Sequence, residues 1–288
     1  MAIKLAQRQV ADGTLRRRGV AISRRECRLS NHMSYWRTWI RQPQTLWLRR
    51  AIFQIHLWTG LMIGVYIVAI CLSGSVLVYR NELYRTFSPT PDNPSPLGFR
   101  SATWLLDFHD NLLNGETGRR TNGFGAALLI VLAVTGLVVW WPGVQRWRRS
   151  LVLDVRANWR QFNWSLHSAL GIWFVAFIVM WGITGLYLSY PKPFDAAVDY
   201  LDPFDATNPV ERIGDRVLYW LGYAHFGRFG GRIPGCGRGT CNEIFKAVWA
   251  VFGLVPVVMA VTGAIMWWNR RGSKRQDVRK KRALATRM

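Results

Sequence analysis

The chain has 288 residues, half of them hydrophobic and 16 of them Trp, yet it carries 38 Lys and Arg against 16 Asp and Glu. That mixture is foreign to an ordinary soluble domain unless apolar and basic residues are segregated along the sequence. They are segregated, and the segregation sets aside nucleic-acid binding as the reason for the basic charge, because the surplus lies only in segments that flank long apolar runs.

In chain order, residues 1–48 form a basic tail and an interfacial lead-in, with Trp and Arg interleaved from Met33 onward. The first 32 residues lack the apolar core of a signal peptide, so no cleaved leader is expected. The first uncharged run, 51–79, is followed by a neutral loop at 80–120 that holds the Pro-rich stretch SPTPDNPSPLGF, a stiff connector. The second run covers 121–141, a basic loop 142–160, the third run 161–190, a second neutral loop 191–246, and the fourth run 247–268 before the basic tail 269–288. Each run is long enough for a helix to cross a hydrocarbon core of roughly 30 Å, and in lipid a helix is the form that satisfies the backbone of an isolated run. The expected fold is therefore an all-α integral membrane protein with four transmembrane helices. The basic segments 1–50, 142–160 and 269–288 together carry the whole surplus of +22, while the loops 80–120 and 191–246 are each balanced. By the positive-inside rule both termini and the 142–160 loop are cytoplasmic, which suits the inner membrane of a bacterium, with tails facing anionic lipid headgroups.

The two halves repeat each other. His56 is followed at offsets of four and eighteen by Gly60 and Gly74, and His167 at the same offsets by Gly171 and Gly185. Arg49 and Arg160 each precede their histidine by seven residues, and AVTGLVVWW at 133–141 matches AVTGAIMWW at 260–268. Two tandem two-helix repeats, 49–141 and 161–268, imply a parallel pseudo-two-fold axis along the membrane normal.

Four of the five histidines occupy matching stations, His56 and His167 early in spans one and three, His109 and His225 in the outer loops before spans two and four. The eighteen residues from His56 to Gly74 rise by about 27 Å, so inner and outer histidines cannot share one ligand. The expected pairs are His56 with His167 and His109 with His225. Zinc and copper sites ordinarily recruit more protein ligands. Haem asks the protein only for axial ligands, and a bis-imidazole haem b at each membrane face, two per chain, follows. Gly60, Gly64 and Gly171 would let the macrocycle approach the backbone. Arg49, Arg160, Arg119 and Arg232 are candidates for the haem propionates and equally for lipid-headgroup anchors. The glycines of the Ser/Thr-Gly pairs, Gly74, Gly136, Gly185 and Gly263, read as close helix packing, and Pro256 as a bend in span four. Cys236 and Cys241, in GCGRGTC, are placed to close a small disulfide loop on the oxidising side.

The elements IHLWTG with LSG, FHDNLLNGETGRR, LHSALG with ITG, and AHFGRFGGR, taken in order over about residues 50–270, resemble the PepSY-associated transmembrane-helix family of iron-regulated inner-membrane proteins. Some of its members are di-haem ferric-siderophore reductases. The resemblance implies electron transfer from the cytoplasmic to the periplasmic face, with a ferric complex or a periplasmic protein as acceptor. Fuller members insert periplasmic PepSY domains where this chain has short loops, which leaves something close to a bare electron-transfer core. No dinucleotide fingerprint, phosphate loop or nucleophile elbow is present, so a membrane quinol or a cytoplasmic reductase must donate the electrons. Two other readings fit the same residues: a non-redox transporter or assembly factor whose histidines handle protons or substrate, and a cytochrome b-type anchor subunit for a separate oxidoreductase.

Overall fold

The computed structural model describes residues 38–40, 46–142, 147–203, 212–227, 229 and 239–285. Among these residues the regular elements are helices and there is no strand. They are α1 (Trp47–Leu77), α2 (Arg80–Thr86), α3 (Leu97–Asn111), α4 (Gly115–Trp140), α5 (Trp159–Ser189), α6 (Pro191–Leu201), α7 (Ile213–Phe226), α8 (Thr240–Gly253) and α9 (Val255–Ala285), with a 3-10 turn at Trp147–Leu151. Four spans are long and apolar enough to cross a membrane: Trp47–Leu77, Gly115–Trp140, Trp159–Ser189 and Thr240–Gly272, the last made by α8 and the first part of α9.

The spans form a closed ring in which α1 packs on α4, α4 on α5, α5 on α9 and α9 back on α1. Hence α1 and α5 stand at opposite corners and confront each other across the centre. The α4–α5 contact is the most extensive of the four, and small residues explain it: a methyl at Gly182 would lie 3.3 Å from the Ala126 carbonyl and one at Gly185 3.3 Å from Ala126 Cβ. Such residues let helix backbones approach where burial of apolar surface provides no net drive. The opposite faces carry apolar side chains outward, with Met62 81% and Val65 83% exposed, as a lipid-facing surface requires.

The described parts of the two outer segments are largely helical. The stretch 80–120 contains α2 and α3, and 191–246 contains α6, α7 and the start of α8. Helix α3 ends where Leu112 and Leu113 take φ of 51° and 60°, a conformation costly for bulky residues. It reverses the chain into α4, and the Asn122 side chain ties the turn down by donating to the carbonyls of His109 (2.6 Å) and Asp110 (3.2 Å). Helix α7 ends at Gly227 with φ 64°. There glycine is required twice over, since a Cβ would also collide with the Trp249 ring, which donates its indole N–H to Ala224 O at 3.0 Å. Both outer histidines therefore sit in the last turn of a short helix whose exit is fixed by a left-handed residue. The break between α8 and α9 falls at Leu254, two residues before Pro256, whose missing N–H is tolerated in the first turn of a new helix.

Span four begins inside a charged cluster. Lys246, 6% exposed, donates to Glu82 Oε1 at 2.8 Å and Glu243 Oε1 at 2.7 Å, which clips α8 to α2 at one end of the bundle. Replacing Lys246 with Met should lower stability by roughly 1–2 kcal/mol, because Glu82 Oε1 would lose its buried partner and keep only the exposed Arg85 at 3.1 Å, while its Oε2 already lacks one among the described residues. A fall in the heat-unfolding midpoint of the detergent-solubilised protein checks this, and an unchanged midpoint would show that the clip contributes nothing.

Candidate functional site

The four spans and their short helices bring the histidines together in two pairs. His56 on α1 and His167 on α5 reach across the centre from opposite corners, with ring centroids 6.4 Å apart and planes at 81°. His109 on α3 and His225 on α7 meet with centroids 6.2 Å apart and planes at 53°. His32 lies outside the described residues.

Each ring rests on a Ser/Thr-Gly step of another helix. His56 Nδ1 lies 3.1 Å from Thr135 Oγ1 on α4, and His167 Nδ1 2.9 Å from Thr262 Oγ1 on α9. His109 Nδ1 lies 3.0 Å from Ser73 Oγ on α1, and His225 Nδ1 2.8 Å from Thr184 Oγ1 on α5. The adjacent glycines lie under the rings: a Cβ at Gly74, Gly136, Gly263 or Gly185 would stand 2.8, 3.1, 3.4 or 4.0 Å from the Cε1 of His109, His56, His167 or His225. This corrects the reading of Gly74, Gly136 and Gly263 as helix-packing residues, while Gly185 does pack against Ala126 of the neighbouring helix. The main neighbours of the first three are imidazoles, and Gly185 alone has a helix contact closer than its ring. The four hydroxyls are not evident from the sequence alone, although a signal was present: Ser73-Gly74 and Thr184-Gly185 stand at the same offset from His56 and His167, and Thr135-Gly136 and Thr262-Gly263 at the same place in the two AVTG segments.

The rings are enclosed by protein yet keep part of their surface accessible, as groups lining an internal space do. For the outer pair, which lies outside the spans, burial pushes the His109 ring below its ordinary imidazole value against the opposing pull of the Ile70 carbonyl and Asp110. Burial and then the facing His109 lower His225 to about 3. Both are neutral near pH 7, with a lone pair available on one ring nitrogen. Among the described residues no cluster of three or more His, Cys, Asp and Glu is formed, so each pair offers two imidazoles and no further ligand.

The arginines divide. Arg49 donates from Nη2 to Val139 O at 2.5 Å while its buried Nε has no partner among the described residues. Arg119 pairs with Asp110 at 2.7 Å and likewise keeps a buried Nε without a partner among the described residues. Arg160 occupies the second position of α5, and Arg232 lies outside the described residues. A Cβ on Gly171 would meet the flexible tip of Met259 and one on Gly60 the tip of Leu132, while Gly64 has nothing within 4 Å. Cys241 is disulfide-bonded, Cys236 lies outside the described residues, and Cys71 is a free thiol within α1.

Four membrane-crossing helices enclosing paired histidines at two levels define a polytopic helical membrane protein. The family described as the PepSY-associated TM region matches residues 53–98, 93–212 and 202–270, and the chain belongs to that family. No significant match was found among curated proteins or among solved structures.

Proposed function

We propose that this chain is a di-haem b-type protein of the bacterial inner membrane that carries electrons from the cytoplasmic to the periplasmic face and delivers them to a ferric complex such as a ferric siderophore. The observation that carries the reading is the spacing of the paired rings. With metal–imidazole bonds of about 2 Å on both sides and roughly 1.2 Å from each bonding nitrogen to its ring centre, two imidazoles on one iron have centroids about 6.4 Å apart. The pairs stand at 6.4 and 6.2 Å. Two imidazoles without a third ligand suit an iron that brings its other four donors with it, and the accessible surface of the rings fits a flat apolar occupant.

In this reading His56 and His167 hold the group near the cytoplasmic face, and His109 and His225 the group near the periplasmic face. Bound haem supplies one-electron chemistry at a potential tuned by its axial ligands and their hydrogen bonds. The chain's own residues hold the imidazoles neutral and fixed, and the apolar spans exclude water. The unpartnered Nε atoms of Arg49 and Arg119 are charged donors suited to a carboxylate such as a propionate. Orientation follows from the basic tails and the neutral outer segments. A membrane quinol or a cytoplasmic reductase is the electron donor, and the acceptor is a ferric complex or a periplasmic protein.

Pyridine haemochrome assay of protein purified from haem-replete cells should give two non-covalent b-type haems per chain. A colourless protein would end this reading and return the histidines to proton or substrate handling.

A further inference from the structure

We infer that Ser73, Thr135, Thr184 and Thr262 are positioning residues that fix the tautomer of the four paired histidines, and that Thr184 is the one hydroxyl whose role nothing else in its seat can replace.

A hydroxyl has one proton, and in every seat a carbonyl of the hydroxyl's own helix stands within reach to accept it. Ser73 donates to Ile70 O at 2.9 Å, Thr135 to Val131 O at 2.6 Å, Thr184 to Trp181 O at 3.2 Å and Thr262 to Val258 O at 2.7 Å. Toward the ring the oxygen then offers only lone pairs, so the Nδ1 it contacts must carry the hydrogen. A neutral imidazole has one N–H, which leaves Nε2 bare. Among the described residues Nε2 makes no hydrogen bond at any of the four rings. The hydroxyls thus hold each Nδ1–H and free each Nε2 for ligation, as the outer partners of ligating histidines do.

The seats are not equal. At three of them the carbonyl three residues before the hydroxyl also reaches the ring. Leu132 O lies 3.1 Å from His56 Nδ1 and Ile70 O 3.1 Å from His109 Nδ1, and the Met259 carbonyl serves His167. A carbonyl can only accept, so it enforces the same tautomer by itself. At the fourth seat the corresponding carbonyl, Trp181 O, takes the Thr184 hydroxyl, and His225 Nδ1 has Thr184 Oγ1 at 2.8 Å as its acceptor among the described residues. Thr184 is fully buried, so water does not stand in for it.

The inference rests on the proposed haem only for what Nε2 faces; the tautomer is measurable without it. Histidine 15N NMR of the full-length chain in nanodiscs, with signals assigned by single His→Gln variants, should show the Nδ1–H tautomer at all four paired histidines. Thr184→Val should release His225 from that form and Thr184→Ser should retain it, whereas Thr135→Val should leave His56 held by Leu132 O. In the haem-loaded protein Thr184→Val should weaken retention of the outer haem by about 10-fold or more. It should also raise the reduction potential of that centre alone, with Thr184→Ser restoring both. The Nε2–H form at these histidines in the parent chain would overturn the inference, as would equal effects of Thr184→Val and Thr135→Val. Nδ1–H tautomers in a chain that takes up no haem would support it while removing the function proposed above.

Discussion

His56→Ala and His167→Ala are each expected to abolish the same low-spin haem signal, and to leave the other signal intact. The two residues are 111 positions apart on helices at opposite corners of the bundle, so a shared loss would not come from a local defect. It would come from the ring-to-ring approach of 6.4 Å across the centre, where on the proposed reading either imidazole alone would leave an iron one ligand short. The double variant should add little, because members of one site are not additive. His109→Ala and His225→Ala should show the reciprocal pattern, with the inner centre still reducible from the cytoplasmic side and electrons no longer leaving outward. Low-temperature electron paramagnetic resonance on the four single variants reads both centres at once. Loss of different centres from His56→Ala and His167→Ala would mean that the pairs seen in the structure are not the ligating pairs.

The spans were legible because uncharged apolar runs have few alternatives in lipid, and their ends were less so because a charge in a linear pattern looks like a boundary. Helix α4 starts at Gly115 rather than 121 and the fourth span at Thr240 rather than 247. Arg119, Arg120 and Lys246, which cut those runs short in the sequence, are carried inside the helices by Asp110, by Glu116 and by Glu82 with Glu243. An ion pair between distant segments is invisible in a linear pattern. The helical character of 80–120 and 191–246 was hidden differently. Helices α3 and α7 are amphipathic segments whose ends depend on left-handed residues, and nothing in the identity of Leu112 or Leu113 announces one. The matching stations of the histidines were readable from spacing. Their seats were not, because a Ser/Thr-Gly step has an ordinary use in helix packing, and only the fold shows that the step under His56 belongs to α4 while the step under His109 belongs to α1.

Gly74→Ala is expected to empty the outer centre, although alanine is the better helix former by about 1 kcal/mol. The new Cβ would stand 2.8 Å from His109 Cε1, closer than real Cβ contacts allow, so the ring or the helix must move. The ring has little freedom to do so, because its Nδ1 is held by Ser73 Oγ at 3.0 Å and Ile70 O at 3.1 Å, both on the helix that carries the new methyl. Overpacking of this kind costs about 1–3 kcal/mol, which corresponds to a roughly 5- to 150-fold loss of haem retention. The four seats then form a graded series. Gly136→Ala, at 3.1 Å from His56 Cε1, should weaken the inner centre, Gly263→Ala at 3.4 Å should weaken it less, and Gly185→Ala at 4.0 Å should leave His225 unaffected. That last variant meets Ala126 Cβ at 3.3 Å instead, so its cost should appear in the unfolding midpoint through the α4–α5 contact and not in haem content. Haem retention against competing apomyoglobin, measured beside thermal unfolding, separates the two kinds of damage. If Gly185→Ala lost haem as readily as Gly74→Ala, the glycines would be setting helix spacing and not seating the rings, since only helix spacing is indifferent to the distance from each methyl to its imidazole.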